Sequence, residues 1–450
     1  MSAGSLVLWN ARLIDGRGST ARERCAVTVR GGRIVEVADT RGTEPPAGAL
    51  DLAGRTLMPG LIDAHVHLSS DVGRSPGFGP PAPLKGEDPR PRELGYFVLA
   101  NAARELLRAG ITTVRDVGSY DDEAIVLREA VRLGLLEGPR ILSCARIVSV
   151  TSPGGRIFHS MYREADGPWE MRQAVREQVR RGADFVKLMA TGARSVARED
   201  PEPAQMTRDE LAAIVDEAHR VGLRVAAHAE GLGGTRLAVE EGVDTIEHGL
   251  SLHRAPELLE RMAERGIVLV PTLTTFHDLA ERFSSEFAPA LVEQAKRQLE
   301  EAYRTLVAAR DAGVTLAMGY DSGPPGANAV ELVRMAAGGL TPLQAISAAT
   351  AGSARALGLA DVGTVEQGKS ADLLVVDGDP LADARVLTDP QRIWLVLKDG
   401  RAVSGHALVA ERSPWLAGEP EAPPASPDRD RDPRSPCSAG PLELAAEDSS

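Results

Sequence analysis

An α/β architecture, a (β/α)8 or TIM barrel joined to a small β-sandwich formed by N- and C-terminal strands, is what this 450-residue sequence predicts. Three observations lead there. Apolar strand-like runs alternate with amphipathic helical runs from about residue 56 to residue 360. Strand-and-turn segments flank that stretch on both sides. The length also allows one large core plus a smaller unit, since single cores stop growing near ~250–300 residues.

Residues 1–55 contain LVLWNARLID and AVTVRGGRIVEVAD, and the two halves of the second flank Gly31-Gly32, the signature of a hairpin. A hairpin alone buries no core. Its expected partners are GTVEQGKSADLLVVDGDPL and IWLVLKDGRAVSG in residues 361–412, which completes the sandwich. Between them, residues 56–360 offer eight candidate strands: LMPGLIDAHVHL, ITTVRDVG, RILSCARIV, FVKLMAT, RVAAHAE, DTIEHG, IVLVPTL and VTLAMGYDSG. Eight βα units close naturally as a barrel. Among the helices, Thr207 and Glu210 have capping-box spacing, and Leu211, Ile214, Val215 and Ala218 make one buried stripe. The segment Ser69 to Pro91 is rich in Pro and Gly. Long structureless loops inside compact domains tend to be functional, so it reads as a lid or as a subunit contact in a homo-oligomer. Residues 413–450, rich in Pro, Asp, Arg and Ser, read as a disordered tail.

Composition narrows the function. A formal net charge of −13 argues against nucleic acid and anionic membranes as partners, and leaves a small-molecule substrate. No apolar run approaches the ~20 residues that span a bilayer, and MSAGSLVLWN lacks the basic and apolar regions of an export signal. Cys25, Cys144 and Cys437 are too few and scattered for a disulfide framework, so the cytoplasm is the expected compartment.

The chemistry-bearing residues sit at the ends of expected strands. His65 and His67 in LIDAHVHL share one strand face and can grip one ion; the alternative is that one is merely hydrogen-bonded. Lys187 in FVKLMAT lies among apolar residues, where an unpaired ammonium is costly. It either pairs with a carboxylate such as Asp116 or has a pKa low enough to form a carbamate. His228 and His248 end consecutive strands and so project from the same rim. Asp321 in GYDSG either caps a turn or completes the ring of histidines. Nitrogen and oxygen ligands suit zinc, and also manganese, cobalt or nickel.

Taken together, HVH, KLMATG, AHAEG, IEHG and GYDSG resemble the amidohydrolase superfamily, and within it the prolidase-like, carnosinase-like and imidazolonepropionase-related members. GRTLMPGLIDAHVHL and QGKSADLLVVDGDP extend the likeness over roughly residues 5–410. The resemblance implies two divalent metal ions, zinc being the first expectation. His65, His67 and Asp321 would bind one and His228 and His248 the other, bridged by N6-carboxylated Lys187. It further implies attack by a metal-bridging hydroxide on the amide bond of a dipeptide or N-acyl amino acid, with Asp321 as catalytic proton shuttle.

Some positions depart from the pattern. SPGGRIFHS places Arg156 where relatives often have His, and His159 three residues later becomes a candidate substrate contact. Glu230 stands where carboxylate-recognising relatives often have Tyr. Arg236, His253 and His277 are further candidates for touching substrate, the alternatives being a solvated helix residue and ordinary loop histidines. Three rival functions are a cyclic amidase acting on a lactam or imidazolone ring, a mononuclear deaminase and a non-catalytic metal-binding barrel. The deaminase pattern needs Glu three residues after His228, where this chain has Gly231. A non-catalytic barrel is expected to lack a ligand, and none is missing.

Overall fold

The computed structural model describes residues 5–68 and 94–407, apart from residues 195, 197, 283 and 286–288. The expected lid at Ser69 to Pro91 and the tail at 413–450 lie outside the described residues.

The two chain ends unite. Strand Leu6–Leu13 pairs antiparallel with Arg22–Arg30, which pairs with Arg33–Asp39. Arg30 faces Arg33, so Gly31 and Gly32 form the turn, with φ of 57° and 79°. A residue without Cβ reaches that left-handed region without penalty, and the turn follows the right-handed twist of the strands. Thr56–Pro59 then lies parallel to Leu6–Leu13 on one side and antiparallel to Leu373–Val376 on the other. Ile393–Lys398 and Arg401–Ser404 continue the order, and the two-residue strand Leu50–Asp51 pairs parallel with Leu6–Leu13, so these strands are hydrogen-bonded as one eight-stranded sheet. Its far edge curls back: Ile34 N donates to Lys369 O and Ala371 N to Gly32 O, both at 2.9 Å. One apolar cluster accordingly mixes Leu8, Val27 and Ile34 with Leu373, Val375 and Leu395.

Between the ends, all strand pairings are parallel. Leu61–Val66, Ile111–Asp116 and Arg140–Ser143 form one set. Ile147–Ser149, Phe185–Met189, Arg224–Ala229, Thr245–His248 and Val268–Val270 follow in a second, with Tyr162–Glu164 on its edge. Asp184 N donates to Ser143 O at 2.8 Å, which joins the two sets. The expected strand RILSCARIV is therefore two strands, broken where Ala145 takes a φ of 61°.

The expected eighth strand, VTLAMGYDSG, is also corrected. It carries only a single bridge, Leu269 to Leu316, and no regular strand. It still lies between the last and first parallel strands. Ala317 N donates to Leu269 O (2.9 Å) on one side, while Ala64 N donates to Met318 O (2.8 Å) and Asp321 N to His65 O (2.9 Å) on the other. The ladder breaks because Met318 N turns to Ala348 O and because Gly319 packs too closely for any side chain. A Cβ there would meet Val270 Cγ1 at 2.4 Å.

Helix Arg208–Arg220 shows the expected capping box, and Leu211, Ile214, Val215 and Ala218 are buried as the stripe requires. Burying each such side chain contributes on the order of 1–3 kcal/mol. Among the described residues, no helix is long and apolar enough to cross a membrane.

Candidate metal centre and active site

Four of the parallel-strand segments and the irregular segment before Asp321 deliver side chains to a common cavity. His65 Nε2 and His67 Nε2 both lie 3.5 Å from Asp321 Oδ1. The His248 ring centroid is 5.2 Å from that of His65 and 4.6 Å from that of His228. Two overlapping groups of donor atoms lie within 4.8 Å of one another: His65, His248 and Asp321, and His228, Glu230 and His248. His65, His67, Lys187, His228, His248 and Asp321, drawn from five segments, thus line one pocket.

The imidazoles are held as neutral bases with a known lone pair. A carbonyl or carboxylate oxygen only accepts, so the ring nitrogen facing it carries the proton. His65 Nδ1 donates to Glu247 (2.7 Å) and His67 Nδ1 to Gly118 O (2.7 Å), which leaves both Nε2 atoms with lone pairs toward Asp321. His228 Nε2 donates to Gly192 O (3.2 Å), leaving its lone pair on Nδ1. His248 Nδ1 shares a hydrogen bond of 2.7 Å with Thr272 Oγ1. Burial, helped by the Lys187 charge, pushes His67 down to about 4, and burial takes the other three well below the usual range.

Behind His65 stands a second layer. Glu247 Oε1 takes Arg115 Nη2 at 2.8 Å, while Arg115 Nε donates to Ala64 O at 2.6 Å and Nη1 to Thr245 Oγ1 at 3.2 Å. The loop after Val268–Val270 is fixed by Glu331, a buried carboxylate that accepts Leu273 N and Thr274 N at 2.7 Å and Thr274 Oγ1 at 2.6 Å. That loop carries Thr272 to His248, and Thr275 to both Asp321 and Arg194.

Lys187 is 2% exposed, and its Nζ has no hydrogen-bond partner among the described residues. Burial lowers its pKa to about 8, against the pull of Glu247. The expected alternative of an ion pair with Asp116 is corrected: Asp116 instead accepts Leu68 N at 2.8 Å and Ser143 Oγ at 3.0 Å. Burial raises Asp321 to about 7, opposed chiefly by Arg194. A buried amine without a hydrogen-bond partner among the described residues, four imidazoles and one carboxylate fit divalent-cation binding in donor chemistry.

The four expected substrate contacts lie elsewhere, each for a reason. Arg236 is exposed on helix Leu232–Glu241 and pairs with Glu257 at 2.8 Å. His159 is exposed where helix Pro153–Phe158 ends. His253 bonds Thr305 (3.1 Å), and His277 bonds Tyr303 (2.6 Å). None of the four lines the pocket, whose wall beyond the histidines is built instead by Arg194, Tyr162, Glu230 and apolar residues. Sequence reasoning missed Arg194, Arg115 and Glu247. Arg115 carried a signal, being an arginine inside the apolar strand ITTVRDVG.

Comparison with known proteins agrees with this geometry. The model of the amidohydrolase family matches residues 56–403. Ochratoxinase from Aspergillus niger is 32% identical over 391 residues, covering 80% of this chain and 77% of that protein. Imidazolonepropionase from Paracoccus denitrificans is 28% identical over 391 residues, with 79% and 88% covered. The crystal structure of a prolidase complexed with N-methylphosphonate-L-proline superposes with a TM-score of 0.77 at 32% identity, covering 89% of this chain and 99% of that one. With the family match spanning most of the length and the donor set gathered in one cavity, the chain belongs to the amidohydrolase family and is a hydrolase acting on carbon–nitrogen bonds.

Proposed function

We propose that this chain is a binuclear metal-dependent hydrolase of the amide bond in a dipeptide or N-acyl amino acid, with a (β/α)8 barrel over residues 56–360 carrying the site. The hydrogen bonds that link the parallel strands through the irregular segment 314–320 support the closed ring. The terminal sheet, curled so that its edge meets residues 369–371, supports a small sandwich-like second unit.

One observation carries the reading: Lys187 Nζ is buried beside four imidazoles and a carboxylate with no hydrogen-bond partner among the described residues. A lysine with a lowered pKa supplies a neutral amine that adds to carbon dioxide, and the resulting N6-carboxylate would lie between two cations. His65, His67 and Asp321 would hold one cation, and His228 and His248 the other. When bound, such metals supply activation of water near neutral pH and polarisation of the scissile carbonyl. The residues of the chain do the rest. Glu247, Gly118 and Gly192 fix the tautomers of His65, His67 and His228, and Thr272 orients His248. Asp321, with a pKa raised to about 7, is suited to take a proton from the attacking water and give it to the leaving amine.

Support for the substrate class comes from the named relatives: ochratoxinase, and the prolidase whose structure holds a phosphonate derivative of proline. The likeness to imidazolonepropionase keeps a cyclic amidase as the second reading. The test is metal content per chain together with turnover of a panel of dipeptides, N-acyl amino acids and lactams. About two metals and dipeptide or N-acyl turnover are expected; one metal with lactam turnover alone would replace this reading by the second. Asp321→Asn should keep the fold while lowering kcat about 10²–10⁴-fold, and near-normal turnover would remove Asp321 from proton transfer.

A further inference from the structure

Arg194 follows strand Phe185–Met189, and its side chain is 4% exposed in the wall of the cavity. Its guanidinium is held by several contacts. Nη1 pairs with Glu230 Oε1, Nη2 donates to Thr275 Oγ1 at 3.4 Å, and the group lies over the Phe276 ring with Cζ 4.0 Å from the centroid. Thr275 also bonds Asp321, so a single hydroxyl separates the guanidinium from the proton-handling carboxylate. Glu230 is 1% exposed, and its Oε2 has no partner among the described residues. The rest of the wall is largely apolar, with Ile147, Phe158, Met161 and Met189.

A carboxylate entering this cavity beside Glu230, whose Oε1 also lies 3.5 Å from His228 Nε2, would meet its charge, and like charges repel strongly at low dielectric. It is accepted only where a cation covers that charge. Arg194 is placed to do so, with a planar fork that matches a carboxylate in two-point geometry. Stacking on Phe276 and the bond to Glu230 fix the fork in advance, which reduces the ordering cost of binding. The apolar wall in turn suits an apolar side chain on the same residue of the substrate.

We propose that Arg194 anchors the α-carboxylate of an apolar amino acid on the amine side of the scissile amide, with Glu230 as its positioning residue. The assignment rests on the amide-hydrolase reading above.

The test compares ligands that differ only in that carboxylate, on the metal-loaded protein. Calorimetry compares L-leucine with 3-methylbutylamine, and kinetics compare N-acetyl-L-leucine with N-acetyl-3-methylbutylamine. The wild type should prefer the carboxylate member about 10- to 100-fold in both assays, the usual worth of a charged hydrogen-bonded pair. Arg194→Met should collapse that preference toward unity, and Arg194→Lys should restore part of it. Glu230→Gln should raise KM for the carboxylate substrate more than it lowers kcat. Absence of preference in the wild type, or equal losses on both substrates in Arg194→Met, overturns the anchor. So does a calorimetric preference for the amine that disappears in Glu230→Gln, which would assign the site to an ammonium. If L-leucine binding depends on Arg194 while neither amide is turned over, the hydrolase reading fails and the anchor stands. If turnover proceeds and Arg194 is silent, the reverse holds.

Discussion

Arg115 and Lys187 are both basic, both about 2% exposed, and both set within parallel strands among apolar neighbours. Their surroundings are opposite. Arg115 is satisfied by Ala64 O, Thr245 Oγ1 and Glu247, whereas Lys187 Nζ has no partner among the described residues. A buried charge with its donors matched belongs to the fold, because removing it strands its partners. A buried amine left without a hydrogen bond is tolerated where its pKa falls or where a bound group completes it. Under the function proposed above, the difference would separate scaffold from chemistry.

The largest effect should follow from Lys187→Ala. Metal occupancy should fall by more than the about 10–100-fold typical of losing a supporting hydrogen bond, with activity falling in step. The thermal midpoint of the metal-free protein should change little, since no hydrogen bond among the described residues is lost and relief of a buried amine offsets the lost packing of its stem. Short carboxylic acids should partly rescue both metal and activity. Elemental analysis and a thermal melt decide it, and a metal-free protein that unfolds would make Lys187 a structural residue like Arg115.

Arg115→Met should give the converse. Glu247 would keep His65 and lose its cation, leaving a buried carboxylate half-paired, at a cost of about 3–5 kcal/mol. Urea unfolding of the metal-free variant should show the loss directly. A melt within error of wild type would mean that Arg115 and Lys187 do not differ in the way their partners indicate.

Glu247→Gln tests the link between the two. A carboxylate accepts from Arg115 on one oxygen and from His65 Nδ1 on the other. Gln has one oxygen and one amide nitrogen, so it satisfies only one neighbour. Metal affinity should fall about 10–100-fold, with a smaller stability loss than in Arg115→Met. Metal titration followed by chromophoric chelator competition reads this out, and unaltered affinity would show that His65 needs no orienting partner.

What was legible in the sequence follows the same division. His65 and His67 two apart, His228 and His248 at successive strand ends, and Lys187 in an apolar run all declared themselves because strand periodicity fixes where such side chains point. Arg115 was equally visible in ITTVRDVG, and the argument applied to Lys187 would have found it. Arg194 was not, because a loop has no period and its direction is set by Glu230, Thr275 and Phe276, residues 36 or more positions away. Arg236, His253 and His277 lie outside the pocket for a related reason. Standing shortly after a strand does not determine whether a side chain turns inward, and each found a partner on a neighbouring helix. The segment 314–320 kept its place between strands but lost regularity where Gly319 packs against Val270 and His65.

The smallest effect calibrates the rest. Thr207 accepts Glu210 N at 3.4 Å, and Glu210 accepts Thr207 N at 2.8 Å, which satisfies two donors at the start of helix Arg208–Arg220. Thr207→Ala removes the first bond together with the 2.8 Å bond from Thr207 Oγ1 to Glu210, so the cost should be about 0.5–2 kcal/mol. Neither residue lines the pocket. Metal content and kcat/KM should therefore match wild type while urea unfolding shifts modestly. If turnover fell with so small a loss of stability, then losses in Arg115→Met could not be assigned to the site at all, and the contrast with Lys187 would rest on Lys187→Ala alone.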